Sequence, residues 1–400
     1  MGHIAISGAG IAGLSTAVAL LQRGIDVEIF EQSAQLSELG AGVQIAPNGS
    51  RVLKGLGLTA ALQPVVCEAA AKEVRVWNRD RRWKLFDLGA DCLERFGAPY
   101  WFVHRGDLHQ ALVGAIAAIK PNAIRLGARV EAARNTADGV EFRLSRGALH
   151  SARALIAADG VHSTLREQLA GQERAQFTGL LCWRGLVPTD RLPRSMQAPV
   201  GTNWIGPGAH VITYPLRAGR LMNVVGIVER DDWRAESWTD AGSVDELLHD
   251  FRGWHDEVLG LMREIEQPFK WALLGRAPQR PWSAQSICLT GDACHPTLPF
   301  LAQGANMALE DAVVMARCLA ALDRPADAFA CFEAMRWQRT RDIVNRSKDN
   351  AARFHNSKLA DPEAAEAYVD AEWQPDKVRT RYDWLFEYDA NTVPLVPNLD

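Results

Sequence analysis

Ile4-Ala5-Ile6-Ser7-Gly8-Ala9-Gly10-Ile11-Ala12-Gly13-Leu14 is the stretch that decides the fold. Its apolar start reads as a buried strand, its glycines as a turn, and Leu14 to Gln22 as the following helix. Gly8 permits the tight turn, Gly10 lets a pyrophosphate approach the backbone, and Gly13 lets the helix pack closely on the strand. The helix N-terminus attracts phosphate charge. Gly24 then ends the helix, and the strand Ile25 to Phe30 delivers Glu31 at the spacing of an acid that grips ribose hydroxyls. Together these elements specify a cradle for an ADP-containing cofactor, and they do not separate FAD from NAD.

Two later stretches repeat the theme of a strand ending in an aspartate beside a glycine. Ala154-Leu155-Ile156-Ala157-Ala158 runs into Asp159-Gly160, and Ser286-Ile287-Cys288-Leu289-Thr290 runs into Gly291-Asp292. Ligands of α/β sheets collect outside the carboxyl ends of strands, so both aspartates are candidates to meet a cofactor. After the second, Pro296, Pro299 and Gln303-Gly304 shape a turn into a long apolar helix that starts around Gly304, Ala305 and Asn306. The positive end of that helix suits an anionic group, and Gly304 permits close approach.

The order of these motifs resembles the single-component FAD-dependent aromatic monooxygenases, the family of hydroxybenzoate, salicylate and hydroxynicotinate hydroxylases. The resemblance also takes in His104-Arg105-Gly106-Asp107-Leu108 and, near the C-terminus, Tyr382-Asp383-Trp384-Leu385 and Tyr388-Asp389. It implies a resident FAD held by Gly8, Gly10, Gly13, Glu31, Arg105, Asp159, Asp292, Gly304, Ala305 and Asn306. Asp292 would bond the ribitol chain, Arg105 would lie along the cofactor, and Asp159 would sit near the pyrophosphate. NADH or NADPH would be a transient reductant, and O2 would give a flavin hydroperoxide that hydroxylates a small phenolic acid. A 6-hydroxynicotinate-type reaction and a flavin oxidase or dehydrogenase are the alternatives, with a flavin-binding regulatory module as a non-enzymatic one. Gln44 and Phe300 stand where the hydroxynicotinate branch commonly has histidines, which weakens the pyridine reading.

Between the second and third motifs the pattern turns to β. The segments Gly208 to Leu216 and Leu221 to Val228 flank the turn Arg217-Ala218-Gly219-Arg220, and alternation places His210, Ile212 and Tyr214 on one face. A phenol becomes a far better electron donor once its proton is withdrawn, so His210 is the first candidate for the base and Tyr214 for a positioning or relay group. A lone strand histidine is otherwise usually structural. Arg184 can be read equally as a carboxylate receptor or as a core-edge residue. Asp107 reads as the cap of the helix that follows it.

The expected fold is therefore α/β, a Rossmann-like FAD-binding domain with an inserted β-sheet substrate domain and a C-terminal helical segment. Residues 1–175 form its first part, with a possible substrate-side segment near 75–100. Residues 176–278 form the mainly β domain, 279–325 return to the cofactor, and 326–400 form the helical segment and tail. Asp327 to Asn356 reads as an arginine-rich helix with mixed charges, and Pro394 and Pro397 mark an extended tail.

Composition sets the outer limits. The 400 residues are 48% hydrophobic and 23% charged, which excludes disordered and low-complexity classes. The formal charge of −4 offers no basic surface for nucleic acid or anionic lipid, so the partner is a small molecule, with a monomer or homodimer expected. Seven scattered cysteines without a C-x-x-C pair argue against disulfides and zinc, and no metal site is expected. No apolar run is long enough to span a membrane, and the first strand begins by His3 and Ile4, so a cytoplasmic protein is expected. Tryptophans such as Trp233 and Trp238 read as packing residues rather than an aromatic cage.

Overall fold

Four short segments whose residues are almost all buried, Ile4–Ser7, Val27–Phe30, Ala154–Ala157 and Ile287–Leu289, lie side by side as parallel strands in the computed structural model. The structure describes residues 2–36, 41–171, 175–230 and 241–396; Trp233, Trp238 and Pro397 lie outside them. Apolar strands without alternation are what a sheet covered on both faces requires. Ser283–Ala284 and Ile124–Arg125 close its two edges, giving six strands. Because the four strands run parallel, their carboxyl ends share one edge. The glycine turn, Glu31, Asp159 and Asp292 all leave the sheet there, although they span almost 290 residues of chain.

The second layer is a seven-stranded sheet in the order Phe269–Gly275, Gln176–Pro188, Leu221–Glu229, Ala209–Leu216, Val200–Gly206, Ala71–Val76, Arg82–Asp87. Period-two alternation sorts its side chains. Val211 and Val224 face the helices Val244–Asp250 and Asp256–Arg263, where Phe251, Leu261 and Met262 complete a separate apolar core. His210, Tyr214, Val225 and Ile227 face the other way. The strands at 209–216 and 221–229 form one hairpin with Leu216 opposite Leu221.

Two helices join the layers. Gly304–Ala321 packs on the glycine-turn helix Ile11–Leu21, and the 30-residue helix Pro325–Phe354 packs on Gly304–Ala321. Between these last two lies a fully buried ionic cluster. Arg336 reaches Asp311 at 2.7 Å and Glu310 at 2.6 Å, and Arg339 clamps Glu310 through two bonds of 2.7 and 2.8 Å. The mixed-charge pattern of the long helix reads as a solvated face, yet Arg336 is wholly enclosed. Burial alone would lift the Asp311 carboxyl; His295 and Arg336 reverse this and hold it well below the usual range. Tyr388, just beyond the last helix Pro375–Glu387, lays its ring over Arg339 at 4.0 Å and so covers the cluster from outside.

Asp107 does not cap its helix. His104 occupies the cap position of Arg105–Ile119, while Asp107 in the first turn takes a forked pair of bonds from hairpin residue Arg217 at 2.9 and 3.0 Å. A guanidinium offering two donors outcompetes a single backbone amide for the carboxylate. All seven cysteines are buried and unpaired, and no helix of the described residues is long and apolar enough to cross a membrane.

Replacing Arg336 with Met takes the shared guanidinium from two buried carboxylates, Glu310 and Asp311. It should lower stability by about 3–5 kcal/mol, measured by urea unfolding; a change below about 1 kcal/mol would show that the cluster is solvated in practice.

Candidate active site

The glycine turn works through contacts as much as through conformation. Gly8 has φ +100°, and a Cβ there would lie 2.4 Å from the Ala158 carbonyl oxygen of the neighbouring strand. A Cβ on Gly13 would lie 2.0 Å from the Gly8 carbonyl oxygen. Gly10 meets nothing within 4 Å, so its backbone stays open to a ligand. Glu31 buttresses this turn by accepting hydrogen bonds from the amides of Ala9 at 2.7 Å and Ser33 at 2.9 Å.

Two cavities open at this edge and share Gly10, Arg105, Ala158 and Gly160. The first, of about 300 Å³, is walled by Gly8, Glu31, Asp159 and Thr164, the groups suited to ribose and pyrophosphate. The second, of about 350 Å³, lies between the two sheets. One wall is Asp292, Pro296 to Pro299, Gly304 and Ala305; the other is Arg184, Ile212, Tyr214, Val225, Ile227 and Trp271. A long forked space with an open glycine backbone, an acid at each end and a helix N-terminus alongside fits an extended FAD. Arg105 stands at the junction, where a forked cation can meet phosphate or flavin oxygen.

Titration follows this geometry. Asp292 is open to the cavity but enclosed elsewhere by protein, and that desolvation lifts its carboxyl while His295 and Arg105 pull it back. Asp159 is likewise raised by burial, against hydrogen bonds from Ser163 and from the amides of Thr164 and Leu165. Burial also pushes the Tyr214 phenol up, with Arg184 partly opposing it, so Tyr214 enters the cavity as a protonated hydroxyl.

The chain matches the FAD binding domain family over residues 2–347. It is 37% identical to the 3-amino-4-hydroxybenzoate 2-monooxygenase of Streptomyces platensis, across 98% of this chain and 97% of that one. It is 33% identical to the 6-hydroxynicotinate 3-monooxygenase of Pseudomonas fluorescens, with the same coverage. The protein belongs to the FAD-dependent aromatic monooxygenases. A salicylate hydroxylase solved with its substrate superposes with a TM-score of 0.80 at 25% identity, across 97% of this chain and 96% of that one.

Within this family frame, most of the expected cofactor residues come together: Gly8, Gly10, Glu31, Arg105, Asp159, Asp292, Gly304 and Ala305 line the two cavities, and Gly13 supports the turn. Two expectations change. The Asn306 side chain does not line the cavity; it donates to the carbonyls of Gln44 and Ala302 at 3.0 and 2.8 Å and accepts from the Ala46 amide at 3.0 Å. A short amide side chain one turn into the helix satisfies the nearest backbone groups first. His210 does not line the cavity either. It is fully buried one step behind the wall, between Phe300 and Phe354, with Nδ1 2.6 Å from His355 Nε2.

Trp271 lines the cavity with no signal in the sequence, and Gln44 and Arg184 carried only an open reading there. Gln44 accepts a hydrogen bond from the Tyr100 hydroxyl at 2.7 Å; Trp271 carries the Arg184 guanidinium 4.7 Å from its ring centre. Period-two alternation on Phe269–Gly275 places Trp271 on one face or the other, but only the neighbouring strand decides which.

The glycines predict separable failures. Gly13→Val should reduce folded yield and thermal stability. Gly10→Val should fold but bind FAD at least ~10-fold more weakly, about the loss of one charge-assisted hydrogen bond, read from flavin absorbance relative to protein. Equal loss of fold in both variants would refute the assignment.

Proposed function

We propose that this enzyme uses NAD(P)H and O2 to add one oxygen atom to a small aromatic ring bearing both a hydroxyl and a carboxylate. The observation that carries the reading is the position of Arg184. It faces a cavity whose opposite wall is built from the cofactor motifs, and it stands on Trp271 near Tyr214. A guanidinium fixed against an indole is a receptor for a ring carboxylate. Ile212, Val225 and Ile227 supply an apolar bed for the ring, and Tyr214 supplies a hydroxyl donor. The three relatives above act, by their names, on aromatic acids with a ring hydroxyl, which fits the same two handles.

The chain's own contribution is to bind, orient and keep dry. Gly42 lies so close to Tyr214 that a Cβ there would come within 2.5 Å of its ring, and the Gly42 amide donates to Asn223 at 2.9 Å across the layers. That contact seals one end of the cavity and fixes the phenol's position. Bound FAD would supply electron transfer and oxygen activation. The seven unpaired thiols support a reducing compartment, the cytoplasm.

A screen of hydroxybenzoates and hydroxypyridine carboxylates, following NAD(P)H oxidation, product mass and labelled O2 together, tests this reading. One oxygen atom from O2 in a ring product is expected, and the preferred ring separates the benzoate from the pyridine reading. Peroxide alone with every compound would favour an oxidase. Arg184→Ala should raise KM for the acid about 10–100-fold, the worth of a charged hydrogen bond, with little effect on the matching carboxamide. An equal effect on both would remove Arg184 as the carboxylate receptor.

A further inference from the structure

A chain of three acid–base side chains runs from the protein surface to the back of the substrate wall. Glu229 ends one hairpin strand with a side chain 59% exposed; its Oε1 lies 3.0 Å from His355 Nδ1. His355 follows the long helix Pro325–Phe354, and its Nε2 lies 2.6 Å from His210 Nδ1. His210 Nε2, across the imidazole from that bond, is buried with no partner among the described residues. The residues beside it in the sheet show which wall His210 backs. His210 is directly opposite Ile227 in the strand register and two residues from Ile212, and both isoleucines line the cavity.

The bonding pattern fixes the tautomers. An ionised Glu229 only accepts, so His355 must donate from Nδ1. Neutral His355 then presents a bare Nε2, which only accepts, so His210 must donate from Nδ1. That leaves His210 Nε2 as a bare acceptor aimed away from the relay. Desolvation holds both rings below the ordinary histidine range; His355 adds to this for His210, and Glu229 partly offsets it for His355. Neither ring therefore stores the proton, as a relay requires. Other charges sharing the space around His355 are Arg230 just past the Glu229 strand, Arg276, and Lys348 about two turns earlier on the helix that His355 ends.

We propose that Glu229, His355 and His210 form a proton exit for the substrate hydroxyl, reaching the cavity through a water molecule at Ile212 and Ile227. The inference rests on the hydroxylase reading above. In each transfer the ring O–H bond breaks and a proton arrives at His210 Nε2. The His210 Nδ1 proton passes to His355 Nε2, the His355 Nδ1 proton passes to Glu229, and Glu229 releases it to solvent. The bound ring becomes a phenolate, both imidazoles end neutral in the opposite tautomer, and the reverse sequence resets them when the product is reprotonated. Electrons stay on the atoms they began on, so no oxidant is needed. His355 and Glu229 act through His210 and are positioning residues. Such a path gives the proton a route through the wall opposite the cofactor motifs, where fixed side chains take the place of mobile water.

Two measurements test the proposal. Nitrogen NMR of the resting protein with isotope-labelled histidine should show His210 protonated at Nδ1 and bare at Nε2, and His355→Phe should abolish that preference. In stopped-flow mixing with a phenolic acid that the parent enzyme hydroxylates, His355→Ala should slow phenolate formation about 100-fold. Added imidazole should restore it, and FAD content should be unchanged. Glu229→Gln should slow the same step. A proton on Nε2, or unchanged phenolate formation in His355→Ala, overturns the relay while leaving the hydroxylase reading intact. If the parent hydroxylates no phenolic acid, the hydroxylase reading fails, and the NMR result still decides whether the relay exists.

Discussion

Two adjacent buried carboxylates, Glu310 and Asp311, are held by Arg336 and Arg339, and much of the cofactor side of this enzyme is hung on them. Asp311 accepts from the Gly291 amide at 3.1 Å and meets His295 at 2.6 Å, which pins both ends of the loop carrying Asp292. Glu310 accepts from Asn48 at 2.6 Å, and the same amide bonds Gln303 at 2.9 Å, which pins the turn before Gly304. A greasy contact of equal size could hold two helices together, but it would not fix a loop in register with a helix N-terminus. The directional bonds supply that registration. Cys294, His295 and Asp311 crowd closely enough to hold a metal ion, and in this structure His295 Nε2 and Asp311 bond each other at 2.6 Å.

The substrate side is organised by a different constraint, the close approach of two layers. Gly42 on the cofactor side and Tyr214 and Asn223 on the sheet meet without room for a methyl group. Arg217, at the tip of the same hairpin, reaches back to Asp107. These two contacts set the spacing of the cavity and carry the hairpin's inward face against the flavin motifs. Arg184, Ile212, Tyr214 and Trp271 thus converge from three strands, Gln176–Pro188, Ala209–Leu216 and Phe269–Gly275, onto one ring-sized space.

His210 shows where a reading of strand alternation stops. The alternation correctly places it on the face of Ile212 and Tyr214, but depth along that face depends on what covers it. Phe300 and Phe354, from two segments distant in sequence, close over the imidazole and put His355 in bonding range. Asn306 fails for a related reason: a position at a helix start is legible, whereas two of the three backbone groups it bonds, at Gln44 and Ala46, lie 262 and 260 positions away.

The sequence alone determined the cofactor site, because that site is made of local turns at strand ends. Gly8 to Gly13, Glu31, Asp159 and Gly291-Asp292 each carry their own signature, and parallel pairing of apolar strands brings such ends to one edge. The substrate pocket and the Glu229–His355–His210 chain were decided only by tertiary structure. Their residues come from elements whose individual patterns say which face is apolar but not what that face will meet. Depth, partner and tautomer are properties of the contact, and a contact between distant segments leaves no local mark in either of them.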